Sequence, residues 1–205
     1  MLEPIMHILN EKKIVLASGA KTRQEFLRNI GVNAECCPSR FEENLDPKSF
    51  NSFSEFVEET ALQKVLEVER RLTKEGQAPD VVIGADTMVT VDNQMFGKPA
   101  NPEEAVKMLK RLSGKSNVVL TGVAVKARGQ EPRKFTEKTE VFFDEMTEEQ
   151  IRAYVNTKEP LDKAGSYAIQ GRGGTFVTRI SGDYSAVIGL PLNRLCAVLY
   201  DLYHE

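Results

Sequence analysis

A chain of 205 residues, with 41% hydrophobic and 28% charged residues, has the length and composition of a globular protein with a sizeable core. Its formal net charge of −3 argues against a dedicated nucleic-acid-binding protein, which usually carries a basic excess. No apolar run approaches the roughly 20 residues that a membrane-spanning helix needs, so neither nucleic acid nor membrane is expected as a partner.

Cysteine and histidine usage narrows the chemistry further. Cys36, Cys37 and Cys196 form neither a disulfide framework nor a zinc-binding spacing, which is typical of a reducing compartment. The first residues also lack the basic and apolar regions of a signal peptide, so a cytoplasmic protein is expected. The two histidines, His7 and His204, both lie at the termini. Catalysis should therefore use carboxylate, lysine, arginine or a metal ion.

Apolar periodicity predicts strands and helices that interleave along the chain. In chain order, these are a strand at 13–18, a helix at 23–30, a helix at 53–72, strands at 80–84 and 88–91, a helix from 101, strands at 117–126 and 137–143, a helix from 147, and a helix at 191–203. Thr147 and Gln150 predict a capping box, and Asp92-Asn93 predicts a hairpin turn. The elements follow no strict βαβ rhythm, so the predicted fold class is α/β with a mixed sheet flanked by helices.

The segment Ser18-Gly19-Ala20-Lys21-Thr22-Arg23 joins a predicted strand to a predicted helix. Such a junction aims backbone N–H groups and the positive end of the helix dipole at one point, which favours an anion. Ser18 could add a hydroxyl donor and Arg23 a bidentate phosphate contact. The alternative is an ordinary turn with a surface arginine, because the glycine spacing fits no established phosphate-binding loop.

The segment Gly84-Ala85-Asp86-Thr87 ends an apolar strand, which is where α/β sheets commonly bind ligands. Asp86 could bind Mg²⁺, orient a water molecule or accept its proton, and Thr87 could contact the ligand. The alternative is a turn aspartate that satisfies its own backbone.

The segment Leu161 to Gly171 combines an acid-base pair, two glycines and one amide. Glycine permits close approach of backbone to a ligand, and Gln170 offers both a donor and an acceptor to a nucleobase edge. A glycine-rich hairpin is the alternative. Lys64 falls within the apolar stripe of its helix, so it either extends to solvent or meets an anion. Lys98 precedes a proline in a turn, where a solvated lysine is the default.

Five ordered motifs connect these segments. They are Leu16-Ala17-Ser18 with Arg23-Gln24-Glu25, Gly84-Ala85-Asp86-Thr87, Gly97-Lys98-Pro99, Glu159 to Gly165 with Ile169-Gln170-Gly171, and Val187 to Leu192. In this order they resemble the Maf family of nucleoside triphosphate pyrophosphatases, from about Lys12 onward.

The resemblance implies an α/β fold with two lobes around a cleft, similar to that of the inosine triphosphate pyrophosphatases. It implies a single Maf-like domain over residues 1–205, with residues 1–12 as a leader, and a homodimer. The implied reaction is hydrolysis of a nucleoside triphosphate to the monophosphate and pyrophosphate with Mg²⁺ or Mn²⁺. The Gly-Ala-Asp-Thr and Ile-Gln-Gly motifs resemble the branch that acts on dTTP and UTP, rather than the branch that acts on 7-methyl-GTP.

The resemblance also implies a role for each candidate site residue. Asp86 matches the catalytic base, and Glu43 matches an acidic position that would support the metal together with Asp86. The residues that match substrate-binding positions are Ser18, Arg23, Lys64, Thr87, Lys98 and Gln170. Positions linked to substrate choice are Thr22, Thr87 and Gln170.

One motif departs from the family, whose turn usually reads Ser-x-Ser-Pro-Arg-Arg. Ala20 replaces the second serine and Thr22 replaces the first arginine. Losing a charge-assisted phosphate contact costs about 1.5–3 kcal/mol, although Lys21 could supply a point charge nearby. Two other interpretations therefore stay open: a catalytically weak nucleotide-binding or regulatory protein, and an enzyme for modified or non-pyrimidine triphosphates.

Overall fold

The computed structural model describes residues 1–204 and confirms the α/β fold class. Within those residues the strands are β1 Ile14–Leu16, β2 Ala34–Cys36, β3 Val81–Val91, β4 Gln94–Phe96, β5 Ser116–Ala127, β6 Arg133–Phe143 and β7 Val177–Ser181. The helices are α1 Met6–Leu9, α2 Lys21–Asn29, α3 Phe53–Lys74, α4 Pro102–Leu112, α5 Glu148–Asn156, α6 Tyr184–Ile188 and α7 Leu192–Tyr203. None of the helices described over residues 1–204 is long and apolar enough to cross a membrane.

The strands form one mixed sheet of seven, in the order β2-β1-β3-β5-β6-β7 with β4 paired to β3. β1 runs parallel to both neighbours, so that Ile14 lies opposite Ala34 and Val81. The β3–β4 and β6–β7 pairs are antiparallel. Val15 and Leu16 in β1 are completely buried, as expected for an interior parallel strand that is covered on both faces.

β3 is one continuous strand in place of the two predicted at 80–84 and 88–91. Asp86 and Thr87 continue its extended backbone, so Asp86 is not a turn aspartate. Sheet hydrogen bonding outweighs the local preference of aspartate for turns, because strand propensity depends strongly on context. The predicted hairpin is confirmed: Asp92 and Asn93 have φ values of 49° and 57°, as a two-residue turn of this kind requires.

The first of two compact units comprises Met1–Asp86, Thr121–Thr136 and the chain from Gly189 onward. Two hydrophobic clusters hold it together. One includes Ile5, Leu16, Leu27, Ile83, Leu195 and Leu199. The other packs α3 against strands and includes Val15, Ala61, Val65, Val68, Val82 and Ala124. The sheet therefore buries apolar side chains in both clusters of this unit.

The predicted leader, residues 1–12, contributes to the core of the first unit. It forms a turn of 3-10 helix at Glu3–Ile5 followed by α1. Leu2, Ile5 and Leu9 are each at most 3% exposed and lie in the same cluster as residues of α7. The leader is thus an integral packing element of this unit.

The second unit comprises Thr87–Leu120 and Glu137–Ile188. Its core includes Val89, Leu109, Leu112, Val141, Ile151 and Tyr154. The side chain of Asn101 caps α4, and the predicted capping box of Thr147 and Gln150 is present at the start of α5. Three short 3-10 turns, at Glu159–Asp162, Ala164–Ser166 and Arg172–Phe176, lead from α5 to β7 in place of a hairpin.

Candidate active site

Lys64 is held by two carboxylates of the first unit. Its Nζ lies 2.8 Å from Asp86 Oδ1 and 2.9 Å from Glu43 Oε1. The side chains of Lys64 and Asp86 are 12% and 16% exposed, whereas that of Glu43 is 60% exposed. Of the two outcomes open for Lys64, the structure shows contact with anions rather than extension into solvent. These three residues are called the Lys64 cluster below.

Gly84 allows α3 to approach β3 closely enough to form this cluster. A Cβ atom on Gly84 would lie 2.6 Å from Val65 Cγ2 and 2.9 Å from the Ala61 carbonyl oxygen. Residues two apart on a strand face the same side, so Asp86 points toward α3 as Gly84 does. The absence of a side chain at Gly84 thereby brings Lys64, the residue before Val65, within reach of Asp86.

The turn between β1 and α2 is organised around the Ser18 hydroxyl. Ser18 Oγ accepts hydrogen bonds from the Ala20 backbone N–H at 3.2 Å and from Arg23 Nη1 at 3.0 Å. Arg23 Nε donates to the Gly189 carbonyl oxygen at 2.8 Å. Arg23 is therefore a partly buried, oriented side chain and not a surface arginine at an ordinary turn.

The first turn of α2 lacks a side-chain cap. Its N-cap residue is Ala20, which makes no capping hydrogen bond. Uncapped N–H groups and the helix dipole favour an anion at this end. Lys21 is exposed and Thr22 is partly buried in the same turn.

The charge of Arg23 is linked to the Lys64 cluster. Burial lowers the pKa of the Arg23 guanidinium, and the carboxylates of Asp86 and Glu43 oppose that effect. An arginine stays protonated in proteins even so. Two positive and two negative side chains thus lie near one another in this unit.

The remaining candidates belong to the second unit. Thr87 follows Asp86 directly on β3, and Lys98 is exposed in the turn after β4. A hydrogen bond from the Gly165 N–H to the Gly97 carbonyl oxygen, at 3.1 Å, joins that turn to the 3-10 turn Ala164–Ser166. Gly165 has a φ of +71° and packs against Val89, so this position requires glycine.

Gln170 is exposed, and its side-chain amide has no hydrogen-bond partner among residues 1–204. Glu159 and Tyr154 hold the backbone on both sides of Gln170. No role follows for Glu159 and Tyr154 from sequence motifs alone. The sequence signal that could have indicated them is the pair Gly171 and Gly173, because closely spaced glycines indicate that another group approaches the backbone there.

The structure divides the predicted site residues between the two units. Ser18, Arg23, Glu43, Lys64 and Asp86 belong to the first unit, together with Ala20 and Thr22. Thr87, Lys98 and Gln170 belong to the second. Within the first unit, Arg23 donates to Ser18 and to the Gly189 carbonyl oxygen, and Lys64 pairs with Glu43 and Asp86.

The chemistry of these donors fits a hard divalent cation. Mg²⁺ is usually bound by one or two carboxylates, substrate phosphates and water rather than by an all-protein cage. Glu43 and Asp86 already converge on one cationic atom, Lys64 Nζ. No group of three or more His, Cys, Asp or Glu side chains in residues 1–204 is arranged to hold a metal ion. The pair therefore suits a site that phosphate and water oxygens complete.

Residues 13–202 match the family model described as Maf-like protein. The chain is 45% identical, over 212 aligned positions and all of its length, to a human protein named probable bifunctional dTTP/UTP pyrophosphatase/methyltransferase, and it spans 34% of that relative. It is 48% identical over 186 residues to a dTTP/UTP pyrophosphatase of Bacillus cereus, which covers 91% of this chain and 88% of the relative.

Solved structures share the fold at low sequence identity. A HAM1 protein from Coxiella burnetii aligns with a TM-score of 0.52 and 17% identity over 93% of this chain and 99% of its own. The Ham1 protein of Staphylococcus aureus aligns with a TM-score of 0.50 and 15% identity over 93% of this chain and 100% of its own. The α/β architecture is therefore a known one, and with the match over residues 13–202 the chain belongs to the Maf family.

Proposed function

We propose that this chain hydrolyses the α–β phosphoanhydride of dTTP and UTP, including modified pyrimidine nucleotides, to give the nucleoside monophosphate and pyrophosphate. The observation that carries the proposal is the Lys64 cluster, in which Asp86 is oriented by an ammonium beside the partly buried Arg23. The relatives named dTTP/UTP pyrophosphatase support the same activity.

The proposed reaction is an in-line attack of water on the α-phosphorus. Asp86 orients that water and accepts its proton, which makes it the catalytic base. The new bond joins the water oxygen to the α-phosphorus, and the bond to the bridging oxygen breaks, so pyrophosphate leaves. Lys64 holds the Asp86 carboxylate in place through the 2.8 Å contact.

The cationic side chains and the turn before α2 are proposed to bind the phosphates. Arg23 contributes a planar guanidinium that is already fixed by Ser18 and Gly189, and Lys64 and Lys98 contribute ammonium groups. Pre-oriented donors of this kind stabilise charge that develops on a leaving pyrophosphate without reorganisation. The uncapped start of α2 adds backbone N–H groups to the same task.

Mg²⁺ or Mn²⁺ would be held by Glu43 and Asp86. When bound, such an ion neutralises phosphate charge and polarises the phosphoryl oxygens. The exposed position of Glu43 suits a metal that arrives with its nucleotide, because that carboxylate is reachable from solvent.

Substrate choice is assigned to Thr87 and Gln170, with Thr22 as a third specificity position. The Gln170 amide can both donate to and accept from a pyrimidine edge. The proposed setting is the cytoplasm, supported by three free cysteines, and the proposed assembly is a homodimer. No nucleic acid or membrane partner is proposed.

A catalytically weak nucleotide-binding or regulatory protein is the second candidate. The observation in its favour is the altered turn, in which Ala20 and Thr22 stand in place of the serine and the arginine of the family turn. An enzyme for non-pyrimidine triphosphates would differ from these two candidates in the nucleotide that it hydrolyses.

The test is pyrophosphate release from dTTP, UTP, CTP, 5-methyl-UTP, 7-methyl-GTP and ITP with Mg²⁺ or Mn²⁺, beside an Asp86→Asn variant. Metal-dependent hydrolysis of dTTP or UTP that disappears in the variant supports the enzyme. Nucleotide binding without hydrolysis supports the second candidate. Hydrolysis of dTTP by Asp86→Asn at the parental rate would overturn the assignment of Asp86.

A further inference from the structure

We infer that Glu159, acting through Tyr154 and the backbone, is a positioning residue that holds Gln170 for selection of the nucleotide base. This inference rests on the proposed function of Gln170. It concerns the segment from Ala168 to Gly173, called the Gln170 loop here. All of its residues lie in the second unit.

Glu159 binds the far end of the Gln170 loop through both carboxylate oxygens. Glu159 Oε2 accepts from the Arg172 backbone N–H at 3.2 Å, and Oε1 accepts from the Gly173 N–H at 3.1 Å. Oε1 also accepts from the Tyr154 hydroxyl at 2.9 Å. One carboxylate therefore accepts three hydrogen bonds, two of them from consecutive backbone groups.

Tyr154 carries this restraint to the near end of the loop. Its hydroxyl accepts from the Ala168 backbone N–H at 3.1 Å while it donates to Glu159. Gln170 is two residues after Ala168 and two residues before Arg172. The backbone of Gln170 is consequently held from both sides by one hydrogen-bonded pair of side chains.

Two glycines of the loop match this restraint. A Cβ atom on Gly171 would lie 2.6 Å from Glu159 Oε1, and one on Gly173 would lie 2.5 Å from the Tyr154 hydroxyl oxygen. Both distances are well inside van der Waals contact. The loop therefore needs glycine at Gly171 and Gly173 because Glu159 and Tyr154 occupy the space of their side chains.

The pair is anchored on rigid structure. Tyr154 is 4% exposed in the core of the second unit, and its ring meets that of Phe176 edge-to-face with centroids 5.5 Å apart. It lies on α5, whose start is fixed by a capping box. Sites built on such elements are held more accurately than sites on unsupported loops.

The charge state of the pair agrees with this geometry. Burial acts to raise the pKa of Glu159, but hydrogen bonds from Gly173, Arg172 and Tyr154 outweigh it and lower the pKa below the ordinary value. Burial and the neighbouring Glu159 carboxylate raise the pKa of Tyr154. An ionised acceptor and a protonated hydroxyl are the forms that this arrangement of donors needs.

The Gln170 side chain is exposed at the middle of this loop. Its amide offers two donors and an acceptor, and none is used within residues 1–204. A restrained backbone with an unused amide is the arrangement that presents a side chain to a ligand at a low entropic cost of ordering. The base of the nucleotide is the ligand group whose edge matches that amide.

The experiment measures dissociation constants for non-hydrolysable α,β-imido analogues of dUTP and dATP by calorimetry. Glu159→Gln keeps the shape but turns an amide N–H₂ toward backbone donors. We expect it to weaken the dUTP analogue about tenfold, or about 1.4 kcal/mol, with the dATP analogue unchanged. Tyr154→Phe removes the hydroxyl and should also lower the ratio of the affinity for the dUTP analogue to that for the dATP analogue. Glu149→Gln, at an exposed position on α5, is the matched control.

Loss of affinity for both analogues to the same extent in Glu159→Gln would overturn the inference, since a structural defect acts on any nucleotide. The inference would also be overturned if the ratio of affinities for the two analogues were unchanged in both variants. It would be overturned as well if the parent chain bound the two analogues equally. Selective binding by a parent chain that hydrolyses nothing would contradict the proposed activity and leave the positioning role standing. The two proposals thus fail separately.

Discussion

Gly84 and Asp86 face the same side of β3, and α3 packs on that side. The missing side chain at Gly84 lets Val65 and the Ala61 carbonyl come close, and Asp86 then receives Lys64 at 2.8 Å. A single glycine two positions before the proposed base therefore controls the distance between the base and its ammonium partner.

Substitution of Gly84 should show this coupling. Gly84→Ala places a methyl group 2.6 Å from Val65 Cγ2, and overpacking of this kind costs about 1–3 kcal/mol. We expect a lower free energy of unfolding and slower dTTP hydrolysis, because α3 must move away from Asp86. Urea unfolding and initial rates measure the two effects.

Gly97→Ala is the stability control for this substitution, because a methyl group at Gly97 meets no atom within 4 Å. Its unfolding free energy should stay near that of the parent. If Gly84→Ala unfolds like the parent and hydrolyses dTTP at the same rate, Gly84 does not set the Lys64–Asp86 distance.

Removal of the Lys64 charge should affect catalysis more than an equivalent change elsewhere. Lys64→Met leaves two carboxylates without their shared cation and removes a phosphate contact. Loss of one preorganised electrostatic group typically costs about 10²–10³ in kcat. We expect a loss of this order in steady-state hydrolysis of dTTP, and partial recovery in Lys64→Arg.

Lys126→Met is the matched control for Lys64→Met. Lys126 is also mostly buried, at 16% exposure, and pairs with Glu69 at 3.6 Å in the same unit. It should lose less than threefold in rate. Equal losses in the two variants would mean that the effect of Lys64 is one of stability.

The metal requirement should depend on Glu43. Glu43→Gln removes one of two carboxylates proposed to hold Mg²⁺, so we expect the half-saturating Mg²⁺ concentration to rise about tenfold, as for a lost charge-assisted contact. The rate at saturating Mg²⁺ should largely recover. Metal titrations of pyrophosphate release measure this, and chelation with EDTA should abolish the parental activity. Glu42→Gln, at the adjacent exposed position, should leave the titration unchanged. An equal rise of the half-saturating Mg²⁺ concentration in Glu42→Gln would contradict the assignment of Glu43 as a metal ligand.

The altered turn can be tested by restoring the family residue. Thr22→Arg adds a guanidinium to the first turn of α2, and we expect the KM for dTTP to fall about tenfold or more, as for a gained charge-assisted hydrogen bond. Lys21→Ala should raise KM in the parent and less so beside Thr22→Arg, because the added guanidinium then supplies the charge that Lys21 provides in the parent. A double-mutant cycle measures this coupling. Purely additive effects would show that Lys21 does not substitute for the missing arginine.

Acid should remove part of the stabilisation that Glu159 provides. Its pKa in the folded protein lies below the ordinary value of 4.5, so its contribution is complete above that pH and is lost as pH falls through the folded pKa. The difference in unfolding free energy between the parent and Glu159→Gln should therefore be full at pH 7 and shrink below pH 4.5. Urea unfolding at pH 7, 5, 4 and 3 measures it, with Glu149→Gln as control. A difference that grows in acid would contradict the direction assigned to the pKa of Glu159.

Features that depend on neighbouring residues could be predicted from the sequence. The Thr147–Gln150 capping box and the Asp92-Asn93 hairpin are satisfied within a few positions of chain, so local composition predicts them. The α/β class followed from the order of the apolar patterns, and the family followed from five ordered motifs.

The partners of the candidate residues, in contrast, became known only from the packing of the folded chain. Lys64 meets Asp86 across 22 positions and Arg23 meets the Gly189 carbonyl across 166, distances over which no periodicity predicts a contact. Strand pairing overrode the turn preference of Asp86 by extending β3 through it. Glu159 had no assigned role until packing placed two glycine backbones against its carboxylate and the Tyr154 hydroxyl. The physical reason is that propensities act locally, whereas the site depends on close approach between elements that are distant in the chain.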